Sequence, residues 1–152
     1  METAKAEIES AIARLNLREA QFRQLPESEA RTVFNEAELR FVDSKGRQWS
    51  WEDFRTPAVM VEFPESNGYC YLNRIVPSIY EPLWFIAETV GSDCFPVYEG
   101  KIEDIQAIIE ECPAFEYYLV PKDFHWLVCE NHHNVVFAIG AEVERQLREI
   151  EI

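Results

Sequence analysis

The residue types best suited to chemistry lie together near the end of the chain, in the segment Cys129-Glu130-Asn131-His132-His133-Asn134. Thiolate, carboxylate and imidazole groups are the donors that bind zinc and other transition metals. Adjacent side chains point to opposite faces of an extended chain, so His132 and His133 would share one ion only across a tight turn. Glu130, His132 and His133 are therefore the candidate metal ligands, although no second cluster offers further ligands at a recognisable spacing.

The same segment also fits two uses that need no metal. Asn and His side chains often close backbone hydrogen bonds in tight turns, so the segment is typical of a polar hairpin loop. It also fits a contact surface for a protein partner, formed by Glu130, Asn131, His132 and His133. The hairpin loop is the commoner use of such residues, and all three interpretations remain open at the level of the sequence.

Covalent catalysis is the next chemistry to consider, because Cys129 and His125 fall on one face of a predicted strand. A nucleophile must lie within hydrogen-bond distance of its base, whereas four residues of strand span roughly 13 Å. Glu88 and Glu130 lack a marked partner carboxylate for acid–base catalysis, and five scattered glycines are too few for a phosphate-binding loop. The sequence therefore favours a non-enzymatic protein and gives no reason to expect a cofactor.

Trp49 and Trp51 are the remaining candidate binding residues. They fall on one face of a predicted strand, flanked by Gln48 and Ser50. Two indole rings at this spacing can form a platform on which a ligand stacks. They can also cover the hydrophobic core, which is the more frequent role of large aromatic side chains.

Charge restricts the classes of partner. The chain has 28 acidic and 14 basic residues, which gives a formal net charge of −14. Such a protein repels the phosphates of nucleic acids and the anionic surface of a membrane. It attracts basic proteins, because a negative surface speeds encounter with a positive one. We therefore predict a basic protein partner, with no nucleic acid and no membrane, and keep a homo-oligomer built on aromatic surfaces as an alternative.

The cysteines and the start of the chain bear on the compartment. The four cysteines form no C-x-x-C pair, and their apolar neighbours predict buried free thiols. The first residues lack a basic segment followed by an apolar run, and no stretch of about 18 apolar residues exists. These features predict a cytoplasmic protein with reduced thiols.

Periodicity predicts the helices that must position these residues within one domain, 1–152, whose length suffices to bury roughly 70% of the unfolded surface. Thr3 is expected to cap a first helix that ends near Asn16, and a loosely helical stretch continues to Leu25. Ser28 is expected to cap a second helix. Two amphipathic helices are predicted over 101–112 and 141–150.

Alternating and continuous apolar patterns predict the strands. A hairpin is expected from Leu39 to Trp51, a strand at 59–63, and a central strand at 83–89. Pro96 has no N–H donor, so the strand at 94–98 is expected to lie at a sheet edge or to carry a bulge. Three further strands are expected to form a meander over 115–140. The predicted fold class is α+β, with a mostly antiparallel sheet of about five strands.

Two resemblances follow from these motifs. Trp126, the segment Cys129–His133 and Gly140 resemble a bacterial family of uncharacterised small proteins, which carries a tryptophan strand, Cys-Glu-Asn-His-His and an apolar strand ending in Gly. More distantly, the segments 84–88 and 95–98 with Gly91 between them are similar to the SUKH superfamily. The SUKH likeness implies N-terminal helices, an antiparallel sheet, and a role as a toxin-neutralising immunity protein or a regulatory scaffold.

The leading hypothesis from the sequence is a non-enzymatic protein-binding module, specifically an immunity-type inhibitor of a basic toxin enzyme. The alternative is a metal-binding protein or metal-dependent enzyme centred on Glu130, Asn131, His132 and His133.

Overall fold

The computed structural model describes residues 3–43, 51–89, 92 and 94–152. The helices are α1 (Ala4–Leu15), α2 (Glu27–Phe41), α3 (Leu72–Ile75), α4 (Ile102–Glu111) and α5 (Ala141–Arg148). The strands are β1 (Phe22–Gln24), β2 (Val59–Glu62), β3 (Leu83–Ala87), β4 (Val97–Gly100), β5 (Tyr117–Pro121), β6 (Leu127–Glu130) and β7 (Val135–Ile139). Short 3-10 turns occupy Trp51–Asp53 and Gly68–Tyr71.

The seven described strands form one sheet in the order β1-β4-β3-β5-β6-β7-β2. Every neighbouring pair is antiparallel. The α+β class and the antiparallel sheet are confirmed, with two strands more than the approximate number expected. The predicted meander is also confirmed, because β5, β6 and β7 are consecutive neighbours in the sheet.

Both faces of the sheet are covered, so the fold has two hydrophobic cores. Helices α1, α3, α4 and α5 cover the first face, where they meet side chains such as Phe85, Leu119 and Val128. Helix α2 covers the second face, which includes Ile86 and Cys129. A strand with a core on each side is apolar throughout, which explains the continuous apolar run of β3.

Local signals set the ends of several helices where the sequence predicts them. The Thr3 hydroxyl accepts a hydrogen bond from the Ala6 N–H at 3.2 Å, as an N-cap should. Asn16 ends α1 in the left-handed region at φ 55°. Helix α4 begins after Gly100 and buries an isoleucine stripe against the first core, as predicted. None of the helices in the described residues is long and apolar enough to cross a membrane.

The segment before α2 and both ends of α2 differ from the prediction. The stretch expected to be loosely helical contains β1, which pairs with β4. Helix α2 begins at Glu27 with Pro26 at its N-cap, so Ser28 lies inside the first turn and is not the cap. The helix also continues to Phe41, because Ala37 and Phe41 are buried in the second core at helical spacing.

The predicted hairpin at 39–51 is therefore wrong in its first strand, which is helical as far as Phe41. Most of its turn and Trp49 lie outside the described residues. Trp51 itself begins a 3-10 turn, Trp51–Asp53, and not a strand.

Strand β4 is an interior strand, so the edge position considered because of Pro96 is wrong. It begins one residue after that proline and lies between β1 and β3. The Pro96 carbonyl accepts a hydrogen bond from the Ala87 N–H at 3.1 Å, so this position needs an acceptor and no donor. All four cysteines are free thiols, but only Cys129 is buried and Cys70 is exposed, which corrects the expectation of four buried thiols.

Candidate functional site

The β6–β7 loop, residues 130–134, is held by the side chain of Asn131. This residue is buried, and its Oδ1 accepts hydrogen bonds from the N–H groups of His133 at 2.9 Å and Val135 at 3.1 Å. Its own N–H donates to the Val135 carbonyl at 3.1 Å. The predicted hairpin-loop role therefore describes Asn131, whose amide satisfies backbone donors that the strands leave unpaired.

On the second face of the sheet, His132 is fixed to Glu116. The Glu116 Oε2 lies 2.9 Å from the His132 backbone nitrogen and 2.5 Å from its Nδ1. The Trp51 Nε1–H donates to the same oxygen at 3.1 Å. Only 11% of the Glu116 side chain is exposed, against 61% for His132. The carboxylate is thus a buried anchor, and the imidazole is the part that solvent and partners reach.

Glu116 also shares a proton with Glu88. Burial, followed by the hydrogen bond to Glu116, raises the pKa of Glu88 to about 8. Burial alone would raise the pKa of Glu116 too, but hydrogen bonds from Glu88 and His132 outweigh it and lower that pKa. At pH 7 Glu88 therefore holds the proton and Glu116 is ionised. The pair places a proton donor beside a proton acceptor, which is the elementary requirement of acid–base chemistry.

Trp51 completes this side of the site. Its ring centroid lies 5.4 Å from that of Phe137 and 6.5 and 6.3 Å from those of His132 and His133. The two histidine rings lie 3.9 Å apart. Trp51 therefore has the core-covering role considered for it, and it also contacts the rings of both histidines.

Glu130 points to the opposite face of the sheet. It is only 8% exposed, and its Oε1 accepts a hydrogen bond from the Tyr117 hydroxyl at 2.6 Å. Burial raises the pKa of Glu130, while the hydrogen bond from Tyr117 opposes that change. Glu130 and His132 thus bind different partners on different sides of the sheet.

The structure does not bring the three candidate metal ligands into one centre. Glu130 contacts Tyr117, whereas His132 contacts Glu116. Within the part of the chain that the structure describes, no group of three or more His, Cys, Asp or Glu side chains is arranged to hold a metal ion. The geometry of Glu130, Asn131, His132 and His133 therefore matches the loop interpretation better than the metal interpretation.

Cys129 and His125 are also apart. Burial raises the pKa of the Cys129 thiol well above its ordinary value. His125 is 74% exposed and its Nδ1 lies 3.3 Å from Asp123. A buried neutral thiol and an exposed imidazole bound elsewhere do not form a nucleophile–base pair.

The pairing of Glu88 with Glu116 was missed by sequence reasoning, which found Glu88 without a partner. The sequence signal was Glu88 directly after the apolar strand β3 and Glu116 directly before the apolar strand β5. Antiparallel pairing of Ala87 with Tyr117 brings these flanking residues together, and the Glu88 N–H donates to the Glu116 carbonyl at 3.0 Å.

Glu88, Glu116 and Glu130 all lie at the end of the sheet that carries the β6–β7 loop, which we call the acidic end. Among the described residues, no Lys or Arg forms an ion pair with any of the three. Glu99, near the other end, differs. Its carboxylate contacts Lys122 and accepts from Arg23 at 2.8 Å, and both lower its pKa against the effect of burial. Glu99 thus has Lys and Arg partners, whereas the three carboxyl groups of the acidic end have none among the described residues.

Comparison with known proteins gives a family and no activity. A family model described as a family of unknown function matches residues 2–151. The match therefore includes the acidic end and all the helices and strands described above. Neither the curated proteins nor the solved structures yield a match.

Proposed function

Because the chain belongs to DUF6756, a family of unknown function, we propose from its own geometry that it is a protein-binding module with a basic partner. The observation that carries this proposal is the acidic end. Three carboxyl groups, of which Glu88 is protonated at pH 7, lie half-buried or buried there without a Lys or Arg ion pair in the described residues. Removing a charge from water is unfavourable unless an opposite charge or hydrogen-bond donors replace the solvent. A partner that supplies cationic side chains would provide both.

The net charge supports the same proposal at longer range. A charge of −14 attracts a basic protein over distances of about 8 Å at physiological salt. The acidic end would then supply the short-range contacts that select the orientation of the complex. The exposed His132 and the half-buried Trp51 border it and provide a flat aromatic contact area, which is enriched in protein interfaces.

The SUKH likeness supports a narrower form of the proposal. The similar segments, 84–88 and 95–98, correspond here to β3 and the approach to β4, and Glu88 follows β3 directly. By that likeness the basic partner is a toxin enzyme, and this chain is its immunity-type inhibitor. A toxin gene beside the gene for this chain would support this form. We also propose that the module works in the cytoplasm, where its four thiols stay reduced.

The test compares two variants, each with three Glu→Gln substitutions. One carries Glu88→Gln, Glu116→Gln and Glu130→Gln at the acidic end. The other carries Glu9→Gln, Glu29→Gln and Glu38→Gln on α1 and α2. Proteins from the source cells are recovered on each immobilised variant and on the unchanged protein. A recovered basic protein is then purified, and its affinity is measured by calorimetry.

The proposal predicts a basic partner whose affinity falls at least about tenfold for the acidic-end variant and much less for the helix variant. Circular dichroism confirms that both variants are folded. Equal losses for the two variants would show that only the total charge matters. Recovery of no basic protein by the unchanged chain would show that the proposal is wrong.

A further inference from the structure

A pocket of about 230 Å³ opens on the first face of the sheet, between the β6–β7 loop and the end of α4. Glu130 lies in its wall with one oxygen bound to Tyr117. No described residue donates a hydrogen bond to its other oxygen, Oε2. Glu130 is buried, and its carboxyl group has a single hydrogen-bond donor, so it has less solvation than an exposed carboxylate. The pocket therefore presents a strong acceptor without a partner.

Gly68 keeps the space beside this oxygen clear. A Cβ built on Gly68 would lie 3.0 Å from Glu130 Oε2 and 2.8 Å from Val136 Cγ2. Any larger residue would press on the carboxylate or on β7. Because residue 68 is a glycine, the backbone can pack closely against β7 without displacing the Glu130 oxygen.

The other walls suit a cation on an aliphatic stem. Tyr69, Phe115 and Tyr117 contribute aromatic rings, whose faces attract cations. Ile109 adds an aliphatic surface, and the exposed Glu110 brings a second carboxylate to the rim. No Lys or Arg lines the pocket among the residues that the structure describes. His132 also lines the pocket, but its Nδ1 contacts Glu116, so no basic side chain of the described lining is paired with Glu130.

We propose that this pocket binds one alkylammonium or guanidinium group, supplied by a lysine or arginine side chain of the basic partner. This inference rests on the proposed function and names the contact through which it works. The cationic N–H groups donate to Glu130 Oε2, the aromatic rings surround the charge, and the aliphatic stem packs on Ile109.

The first test uses small probes and the whole protein. n-Butylammonium and n-butylguanidinium are titrated while nuclear magnetic resonance follows the backbone amides and the Glu130 carboxyl carbon. Saturable shifts around the pocket are expected, with dissociation constants on the order of 1–10 mM for a single small cation. Neutral N-butylacetamide has the same stem without the charge, and it should cause no such shifts.

Two pairs of variants locate the binding. Glu130→Gln keeps an acceptor for Tyr117 and should weaken probe binding about tenfold or more, whereas Glu38→Gln on the opposite face should not. Ala114 is an exposed residue of the pocket wall. Ala114→Lys should fill the pocket with its own ammonium group and block the probes, whereas Ala114→Gln should leave them bound. This second pair remains informative if Glu130→Gln does not fold.

Each outcome decides the inference. Absence of saturable shifts, or equal shifts with N-butylacetamide, overturns it. If the probes bind through Glu130 but the purified partner binds Glu130→Gln with unchanged affinity, the partner does not use this pocket, and the proposed function stands without it. If the probes bind through Glu130 but the chain recovers no basic protein, the proposed function is wrong. The cation-binding pocket is then retained, with a free amine as its ligand.

Discussion

Glu88, Glu116 and Glu130 are the same residue type, and their neighbours give them different protonation states. Burial and a carboxylate neighbour raise the pKa of Glu88 to about 8. Glu116 accepts hydrogen bonds from Trp51 and His132 and stays ionised. Glu130 is buried with a single hydroxyl donor. At the residue scale, therefore, the number of donors around each carboxyl group decides what it can do.

The first prediction concerns Glu88→Gln and pH. The pKa of Glu88 rises from 4.5 to about 8 on folding, so its favourable contribution is complete below pH 4.5 and lost above about pH 8. The free energy of unfolding should therefore fall as pH rises from 5 to 8. Glu88→Gln keeps a donor for Glu116 and removes this loss, which we expect to be on the order of 1 kcal/mol after solvent screening.

Chemical denaturation of both proteins at several pH values measures this slope. Glu38→Gln, with no contact to the pair, should keep the slope of the unchanged protein. Identical slopes for Glu88→Gln and the unchanged protein would contradict the assigned proton.

The second prediction compares two fully buried tyrosines of the first core. Tyr117→Phe removes the hydroxyl that donates to Glu130 and should lower the free energy of unfolding by about 1–3 kcal/mol. Tyr98→Phe is the matched control, because the Tyr98 hydroxyl is buried and has no hydrogen-bond partner among the described residues. Its removal should leave stability unchanged or raise it. Urea denaturation measures both, and equal losses would show that the Tyr117–Glu130 bond contributes nothing.

At the element scale, the β6–β7 hairpin positions both sides of the acidic end. Glu130 ends β6 with its side chain toward the first core, and His132 follows in the loop with its ring against Glu116. The Asn131 amide fixes the turn between them. Asn134 closes it in the left-handed region at φ 62°, which asparagine tolerates well. The hairpin is thus a rigid support for residues on opposite faces.

The third prediction tests that support. Asn131→Ala leaves the His133 and Val135 N–H groups without their acceptor, so hydrogen exchange at these two amides should become faster. The variant should also lose about 1–2 kcal/mol of stability. Asn131→Asp keeps an oxygen in the same place and should preserve slow exchange. Fast exchange in both variants would show that shape and not the acceptor holds the loop.

At the scale of the whole molecule, the packing of the sheet between helices and the excess of acidic residues have separate effects. The two cores make the sheet a layer between helices, with four helices on one face and α2 on the other. Exposed ion pairs on the helices, such as Arg40–Glu36 and Arg148–Glu144, contribute little to stability. The acidic excess therefore acts mainly as a long-range field, which favours basic partners and opposes compactness.

The fourth prediction follows from this self-repulsion. Raising sodium chloride from about 10 mM to about 0.15 M shortens the screening length to about 8 Å, so the thermal midpoint should rise by a few degrees. The variant with Glu9→Gln, Glu29→Gln and Glu38→Gln changes the net charge from −14 to −11 and should respond less. A midpoint that does not depend on salt would contradict a net repulsion. Light scattering on the same samples measures the oligomeric state.

Much of the fold was predictable because burial leaves a local period in the sequence. The isoleucine spacing of α4 and the unbroken apolar runs of β3, β5 and β7 each report which sides of an element are covered. The loop role of Asn131 was also predictable from local sequence, because asparagine closes turns through its own side chain.

The sequence by itself thus determined the fold class, most of the helices and strands, and the acidic character of the surface. Tertiary structure decided what depends on contacts between distant segments. The three-residue β1 exists as a strand because β4 needs a neighbour, and α2 extends to Phe41 because the second core accepts that ring. Glu88 and Glu116 meet because β3 and β5 pair in one register. A local period shows which side of an element is buried, but it contains no information about which other segment lies against it.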